Sequence, residues 1–121
     1  MNPALSAAIL ARLRLDHPDA VAEHRFHHVR RWRFDFAIPS SRIAIEIDGG
    51  VWIKGRHSGG QGQIDDMEKF NTAAIYGWRT LKFTPQQTHA IYAQVWAAVH
   101  HRLDDECQPV EPTKKQRKIN K

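Results

Sequence analysis

The sequence predicts an α/β fold in which a mixed four-stranded sheet is flanked by helices. Two apolar, strand-like segments, 31–38 and 42–48, are separated only by Pro39-Ser40-Ser41, which favours an antiparallel hairpin. Helical spacing over 64–76 and from 84 to about 102 encloses a further strand-like segment at 78–84. A hairpin followed by a helix and another strand is typical of a mixed sheet with helices on its faces.

A helix-start signal predicts the first element, and a weak strand pattern predicts the second. Asn2 is a good helix cap and Pro3 suits the first helical position, so the sequence predicts a helix over 3–14. A weak strand is expected over about 22–30. The complete predicted order is α-β-β-β-α-β-α.

The second and third helices have recognisable ends. Asp65 and Asp66 are expected in the first turn of the 64–76 helix, and Gly77 is expected to end it. The third helix begins with a capping box, Thr84-Pro85-Gln86-Gln87. The expected inward residues are Ile64, Met67, Phe70 and Ala74 in the second helix, and Ile91, Val95, Ala98 and Val99 in the third.

Length and composition predict one domain, residues 1–104, and a disordered basic tail, residues 105–121. The chain has 121 residues, of which 41% are hydrophobic and 26% charged, as in soluble globular proteins. The last nine residues hold five of its 18 basic residues and no acid, which leaves 13 basic and 13 acidic residues in the body. No apolar run is long enough to span a membrane, the N-terminus does not resemble a signal peptide, and Cys107 is the single cysteine. We therefore expect a cytoplasmic protein.

The predicted hairpin brings acidic side chains together. A two-residue turn at Ser40-Ser41 pairs Ala37 with Ala44, Asp35 with Glu46 and Arg33 with Asp48. One face then carries these charged residues, and the other carries Trp32, Phe34, Phe36, Ile38, Ile43, Ile45 and Ile47. Directly opposed like charges destabilise a sheet, whereas a divalent cation would turn the same carboxylates into ligands.

This pattern resembles the PD-(D/E)XK nuclease superfamily, in the branch near very-short-patch repair endonucleases and small bacterial and phage endonuclease domains. The resemblance is carried by RWRFDFAIP, IAIEIDGGVW and DDMEKFNTAAIYGWRTLKFT, within about residues 23–85. It implies a restriction-endonuclease-like core with the same order of elements. It also implies that Asp35, Glu46 and the Ile47 carbonyl bind Mg²⁺ or Mn²⁺, which would activate a water and neutralise charge on the scissile phosphate.

The sequence departs from the superfamily pattern at Asp48, where a lysine is usual. Asp48 is either a third catalytic carboxylate or a structural partner of Arg33. Two residues are candidates to supply the positive charge of the missing lysine, namely Lys69 and His57. Lys69 shares a helix face with Asp66, so the alternative for it is a surface ion pair. His57 lies in a glycine-rich basic segment, 53–63, and its unperturbed pKa suits proton transfer.

The expected partner is DNA, and the expected activity is Mg²⁺-dependent hydrolysis of its phosphodiester bonds. The candidate phosphate-binding residues are Arg30, Arg31, Arg33, Lys54 and Arg56. Two alternatives stay open on the same fold. One is a non-catalytic DNA-binding or partner-binding module, and the other is a Holliday-junction resolvase, which would require a homodimer.

Overall fold

The computed structural model describes residues 1–48 and 60–100. Its elements follow the predicted order α-β-β-β-α-β-α. The helices are α1 (Pro3–Asp16), α2 (Gln61–Ile75) and α3 (Ile91–His100), and the strands are β1 (Val21–Arg25), β2 (Arg33–Ile38), β3 (Ile43–Ile47) and β4 (Arg79–Phe83). Within these ranges no helix is long and apolar enough to cross a membrane.

The four strands form one mixed sheet in the order β1-β2-β3-β4. The β1–β2 and β2–β3 pairs are antiparallel, whereas β3 and β4 are parallel because α2 carries the chain back across the sheet. Ala37 pairs with Ala44, so the predicted hairpin register is confirmed. The connection differs from the predicted two-residue turn: it is a 3-10 turn over Pro39–Ser41, followed by Arg42 in the left-handed region at φ 53°.

The sheet separates two apolar clusters. The larger cluster joins α1 and α3 to the sheet and includes Ile9, Leu13, Phe36, Ile45 and Val95. The smaller one lies on the α2 side and contains Phe34, Ala37, Ala44, Ala73 and Trp78. Both faces of the sheet are therefore covered, as predicted.

The position of Phe34 corrects the predicted division of the hairpin into faces. Phe34 and Phe36 belong to opposite clusters, although strict alternation would put them on one side. Glu23, which is opposite Asp35 in the β1–β2 register, has a φ of 53° and so leaves the extended region. Phe34 and the carboxylates both lie on the α2 side.

The predicted inward face of α2 is wrong at three of its four residues, since only Phe70 is half-buried. Ile64 and Met67 are 49% and 57% exposed, and Ala74 is exposed, whereas Ala73 is the buried residue of this helix. The helix begins at Gln61, so Asp65 and Asp66 lie beyond its first turn. The helix contacts the sheet through a narrower face than its apolar pattern predicts, and Gly77, at φ 86°, follows its end as expected.

The remaining helix boundaries largely follow their capping residues. The Asn2 side chain accepts the Ala4 N–H at 2.7 Å, which fixes the start of α1. The Gln87 side chain accepts the Thr84 N–H at 3.0 Å, as the capping box predicts. However, the first turns after Thr84 form a 3-10 helix, Pro85–Ala90, and α3 proper begins at Ile91.

Candidate active site

The candidate site lies where β2 and β3 stop pairing. The β2–β3 ladder runs from Ile38 and Ile43 to Phe36 and Ile45. Beyond this pair, acidic side chains take the place of main-chain carbonyls as acceptors. The Asp35 N–H donates to the Glu46 carboxylate at 3.1 Å, and the Ile47 N–H donates to the Asp35 carboxylate at 2.7 Å. The two carboxylates are thus held between the strands by the main chain of the opposite strand.

The Glu46 carboxyl group is the buried member of this pair. Glu46 is only 8% exposed. Burial, together with the neighbouring Asp35 carboxylate, raises the pKa of Glu46 to about 7, although Lys69 acts in the opposite direction. A carboxylate that is this poorly solvated and lies beside a second acid gains from any cation brought next to it.

Lys69 of α2 supplies such a positive charge. Its ammonium group forms an ion pair with Glu46 and also donates to the Arg33 carbonyl at 2.6 Å. The two paired side chains are 13% and 11% exposed, so this is not the surface ion pair with Asp66 that was the alternative. The ammonium lies 5.0 Å from the centre of the Phe70 ring, which adds a cation–π contact. The structure therefore brings Lys69 together with the predicted carboxylates.

One pocket of about 200 Å³ is lined by Asp35, Glu46, Ile47 and Asp48, and Asp66 and Phe70 of α2 form the rest of its lining. The predicted metal-binding set and Asp48 are thus gathered at one place. The alternative structural role for Asp48, an ion pair with Arg33, is wrong. In the described part of the chain, Arg33 lies 3.9 Å from Glu23, and both of those side chains are exposed.

The donor set suits a hard divalent cation. Two neighbouring carboxylates supply the oxygen ligands that Mg²⁺ and Mn²⁺ prefer, and Mg²⁺ is commonly held by one or two carboxylates together with waters and phosphate oxygens. Across 1–48 and 60–100, no group of three or more His, Cys, Asp or Glu side chains is arranged to hold a metal ion. Asp35 and Glu46 are the two carboxylates that could hold such a cation, with waters and phosphate oxygens among its other ligands.

The predicted phosphate-binding arginines lie at the start of β2 and in the segment before it. Arg31 is exposed. Arg30 forms an ion pair with Glu68 of α2 at 3.2 Å, and its guanidinium lies 4.0 Å above the Trp32 ring. Because Glu68 belongs to α2, Arg30 lies on the side of the sheet that carries the carboxylates. The predicted residues Lys54, His57 and Arg56 lie outside the described residues, as does the tail 105–121.

Several residues near the site were not anticipated. In the parallel β3–β4 pair, Glu46 is opposite Lys82, and this long-range register has no local signal in the sequence. Gln63 and Asn71 of α2 line a pocket that shares Asp48, Asp66 and Phe70 with the carboxylate pocket. Gln63 was missed because the helix was expected to begin only at 64, whereas Asn71 belongs to the segment DDMEKFN, which is part of the resemblance.

Comparisons of this chain with protein-family models, with curated proteins and with solved structures found no match.

Proposed function

We propose that this protein is a small metal-dependent DNA endonuclease with a restriction-endonuclease-like core. The observation that carries the proposal is the pairing of Asp35 with Glu46 between two diverging strands, with Lys69 directly against Glu46. Paired acids next to a lysine are expected at a site that handles a divalent cation and a phosphate. The resemblance in sequence to PD-(D/E)XK nucleases supports the same activity.

The proposed roles follow from the position of each side chain. Asp35 and Glu46 would hold Mg²⁺ or Mn²⁺, and the Ile47 carbonyl is a further candidate ligand. A bound cation would orient the scissile phosphate, activate a water and offset the charge that develops during hydrolysis. Lys69 would keep a positive charge and a hydrogen-bond donor beside the reacting groups, and Asp48 would help to orient water.

Binding of the DNA backbone is assigned to the basic residues around the site. Arg30, Arg31 and Arg33 lie within or next to the N-terminal end of β2, and Lys54 and Arg56 are proposed to contribute as well. Such contacts are electrostatic and independent of base sequence, so the affinity is expected to fall steeply as salt rises.

A second candidate is a non-catalytic DNA-binding or partner-binding module. The hydrogen bonds that Asp35 and Glu46 accept from main-chain N–H groups favour it, because they give both acids a structural use. On this alternative, the Glu46–Lys69 pair would only neutralise a buried charge.

Incubation of the protein with supercoiled, linear, single-stranded and four-way-junction DNA tests the proposal. We expect cleavage of at least one substrate with Mg²⁺ or Mn²⁺ and none with EDTA. Asp35→Asn, purified in parallel, should bind DNA but not cut it, which controls for contaminating nucleases. Binding without cleavage of any substrate would instead favour the non-catalytic module.

A further inference from the structure

The connection between β1 and β2, residues 26–32, carries two of the arginines assigned to the DNA backbone. Arg30 and Arg31 are both exposed in this segment, which contains no helix or strand. A connection without a regular ladder leaves its main-chain N–H groups to be satisfied by side chains or water. The side chain that accepts two of them here is that of His27.

The His27 ring closes a tight turn on its own main chain. Its Nδ1 atom accepts the Arg30 N–H at 2.8 Å and the Val29 N–H at 3.1 Å. A main-chain N–H can only donate, so Nδ1 carries no proton and the neutral ring holds its proton on Nε2. Protonation of Nδ1 would replace this acceptor with a donor and break both bonds. The turn therefore requires a neutral His27.

Ring contacts hold His27 in this orientation. It stacks on Tyr76, the residue that follows α2, with the ring planes 3° apart and the ring centres 5.7 Å apart. It also lies edge-on to Trp32 and stacks with His28. The Arg30 guanidinium lies over the same Trp32 ring. His27 thus links the end of α2, the start of β2 and the turn that carries Arg30.

The groups around His27 oppose its protonation. Desolvation in the packed connection lowers the pKa of His27, and the positive groups His28, Arg30 and Arg25 lower it further. From α2 the group that faces the ring is the Tyr76 phenol, and from the start of β2 it is the uncharged Trp32 indole. The ring is therefore neutral near pH 7 and takes up a proton only in mildly acidic solution.

We propose that His27 is a positioning residue whose unprotonated Nδ1 fixes the turn that directs Arg30 and Arg31 to the DNA backbone, and that protonation of the ring releases this turn. The inference rests on the proposed DNA-binding function and adds a pH dependence to it. An arginine on an ordered main chain loses less entropy when it binds a phosphate. Affinity for DNA should therefore fall as His27 is protonated, although the added positive charge alone would raise it.

Two substitutions separate the Nδ1 acceptor from the rest of the ring. In His27→Asn the side-chain oxygen stands in for Nδ1 and can accept the same two N–H groups, but it does not titrate. In His27→Gln the oxygen lies one bond further out, too far to accept them in the same way. Both variants lose the ring contacts, so the difference between them isolates the acceptor. His28→Asn is the matched control, because His28 is exposed and forms no hydrogen bond within residues 1–48 and 60–100.

Fluorescence anisotropy with a paired DNA duplex, in EDTA and at constant ionic strength, measures the affinity from about pH 7.5 to about pH 5. At the upper pH we expect His27→Asn to bind within about twofold of wild type and His27→Gln about fivefold more weakly. Relative to His27→Asn, wild type should lose about fivefold in affinity as the pH falls, since the other histidines are common to both proteins. His28→Asn should retain the wild-type pH dependence. A relative affinity that stays constant or rises at low pH would overturn the positioning role.

The wild-type protein without DNA gives a second readout. Long-range ¹H–¹⁵N spectra of the His27 ring should show an unprotonated Nδ1 at neutral pH, and a proton on Nδ1 there would overturn the turn. Cleavage of DNA with a constant relative affinity removes this inference and keeps the nuclease. The expected affinity pattern without any cleavage removes the nuclease and keeps the inference. Absence of DNA binding by wild type at every pH removes both.

Discussion

The main-chain N–H of Asp35 donates to the carboxylate of Glu46 at 3.1 Å, at the point where their two strands cease to pair. The Asp35 carboxylate in turn accepts the Ile47 N–H, so both acids are fixed by the strand opposite their own. A regular ladder would satisfy these N–H groups with carbonyls. The chain instead uses two acids side by side, which stabilises their position at the cost of charge repulsion.

Asp35→Asn should stabilise the metal-free protein. Asparagine keeps an oxygen to accept the Ile47 N–H, while the repulsion with Glu46 is removed. We expect the free energy of unfolding in EDTA, measured by urea denaturation, to rise by about 1 kcal/mol. Asp19→Asn is the matched control, because Asp19 also accepts a main-chain N–H, that of Ser40 at 2.9 Å. Asp19→Asn should not raise the free energy of unfolding. If Asp35→Asn instead lowers that free energy by as much as Asp19→Asn does, repulsion between Asp35 and Glu46 does not destabilise the fold.

Glu46 should make the metal-free protein less stable as the pH rises. Its pKa is about 7 in the fold, above the ordinary value, mainly because of burial. The folded state therefore holds the proton more tightly than the unfolded chain, and the stability present below about pH 4.5 is lost as the pH rises to about 7. The pKa values of His17 and His24 are lowered by burial, which has the opposite effect on stability over part of this range.

The contribution of Glu46 can be isolated with Glu46→Gln. The histidine contributions are common to both proteins and cancel in the difference between them. Relative to the variant, wild type should lose on the order of 2 kcal/mol of unfolding free energy between pH 4.5 and pH 8 in EDTA. If the difference in unfolding free energy between wild type and Glu46→Gln stays constant over this range, the Glu46 carboxyl group is charged throughout it.

Lys69→Met should abolish most of the cleavage while preserving the fold. Methionine retains an apolar stem near the Phe34 and Phe70 rings but removes the charge beside Glu46. Loss of one preorganised donor at a reacting centre costs about 100-fold or more in rate. Cleavage rates on the best DNA substrate with Mg²⁺ would measure this loss of activity, and circular dichroism would check that the variant is folded. A variant that folds and cuts at the wild-type rate would leave Lys69 with a structural role only.

Arg31→Ala should weaken DNA binding uniformly across sequences. Arg31 is exposed, and in the described residues it forms no ion pair that must first be broken. Removal of one phosphate contact should lower the slope of log affinity against log salt by about 0.9 for duplex DNA. Arg12→Ala is the control, since Arg12 lies on α1 over the Tyr92 ring, away from the α2 side of the sheet. An equal change of slope in both variants would argue against a specific arginine contact.

The register of the hairpin was predictable because local residues determine it. The alternation of Ile43, Ile45 and Ile47 with Ala44 and Glu46 excludes a slip by one residue, which would turn the acids toward the α1–α3 core, and the short connection at Pro39–Ser41 selects the pairing. The turn differs in type from the prediction but keeps the same pairing. The order of elements follows in the same way from caps and glycines, such as Asn2 and Gly77.

The face of α2 was not predictable because it depends on contacts distant in sequence. Ile64, Met67, Phe70 and Ala74 have helical spacing, yet the sheet meets this helix at Ala73 and at the half-buried Lys69. Lys69 faces the sheet because its ammonium group forms an ion pair with the buried Glu46 carboxylate. The side of Phe34 is a similar case, because this ring packs against Trp78, a contact distant in sequence that no pattern within β2 reveals.

Calorimetric titration with Mn²⁺, on wild type and Asp35→Asn, tests the central claim most directly. The claim is that Asp35 and Glu46 together hold a divalent cation. We expect wild type to bind Mn²⁺ at pH 8, more weakly at pH 6 because a proton on Glu46 competes with the metal, and Asp35→Asn to bind none. A folded wild-type protein that takes up no Mn²⁺ at millimolar concentration would contradict the claim.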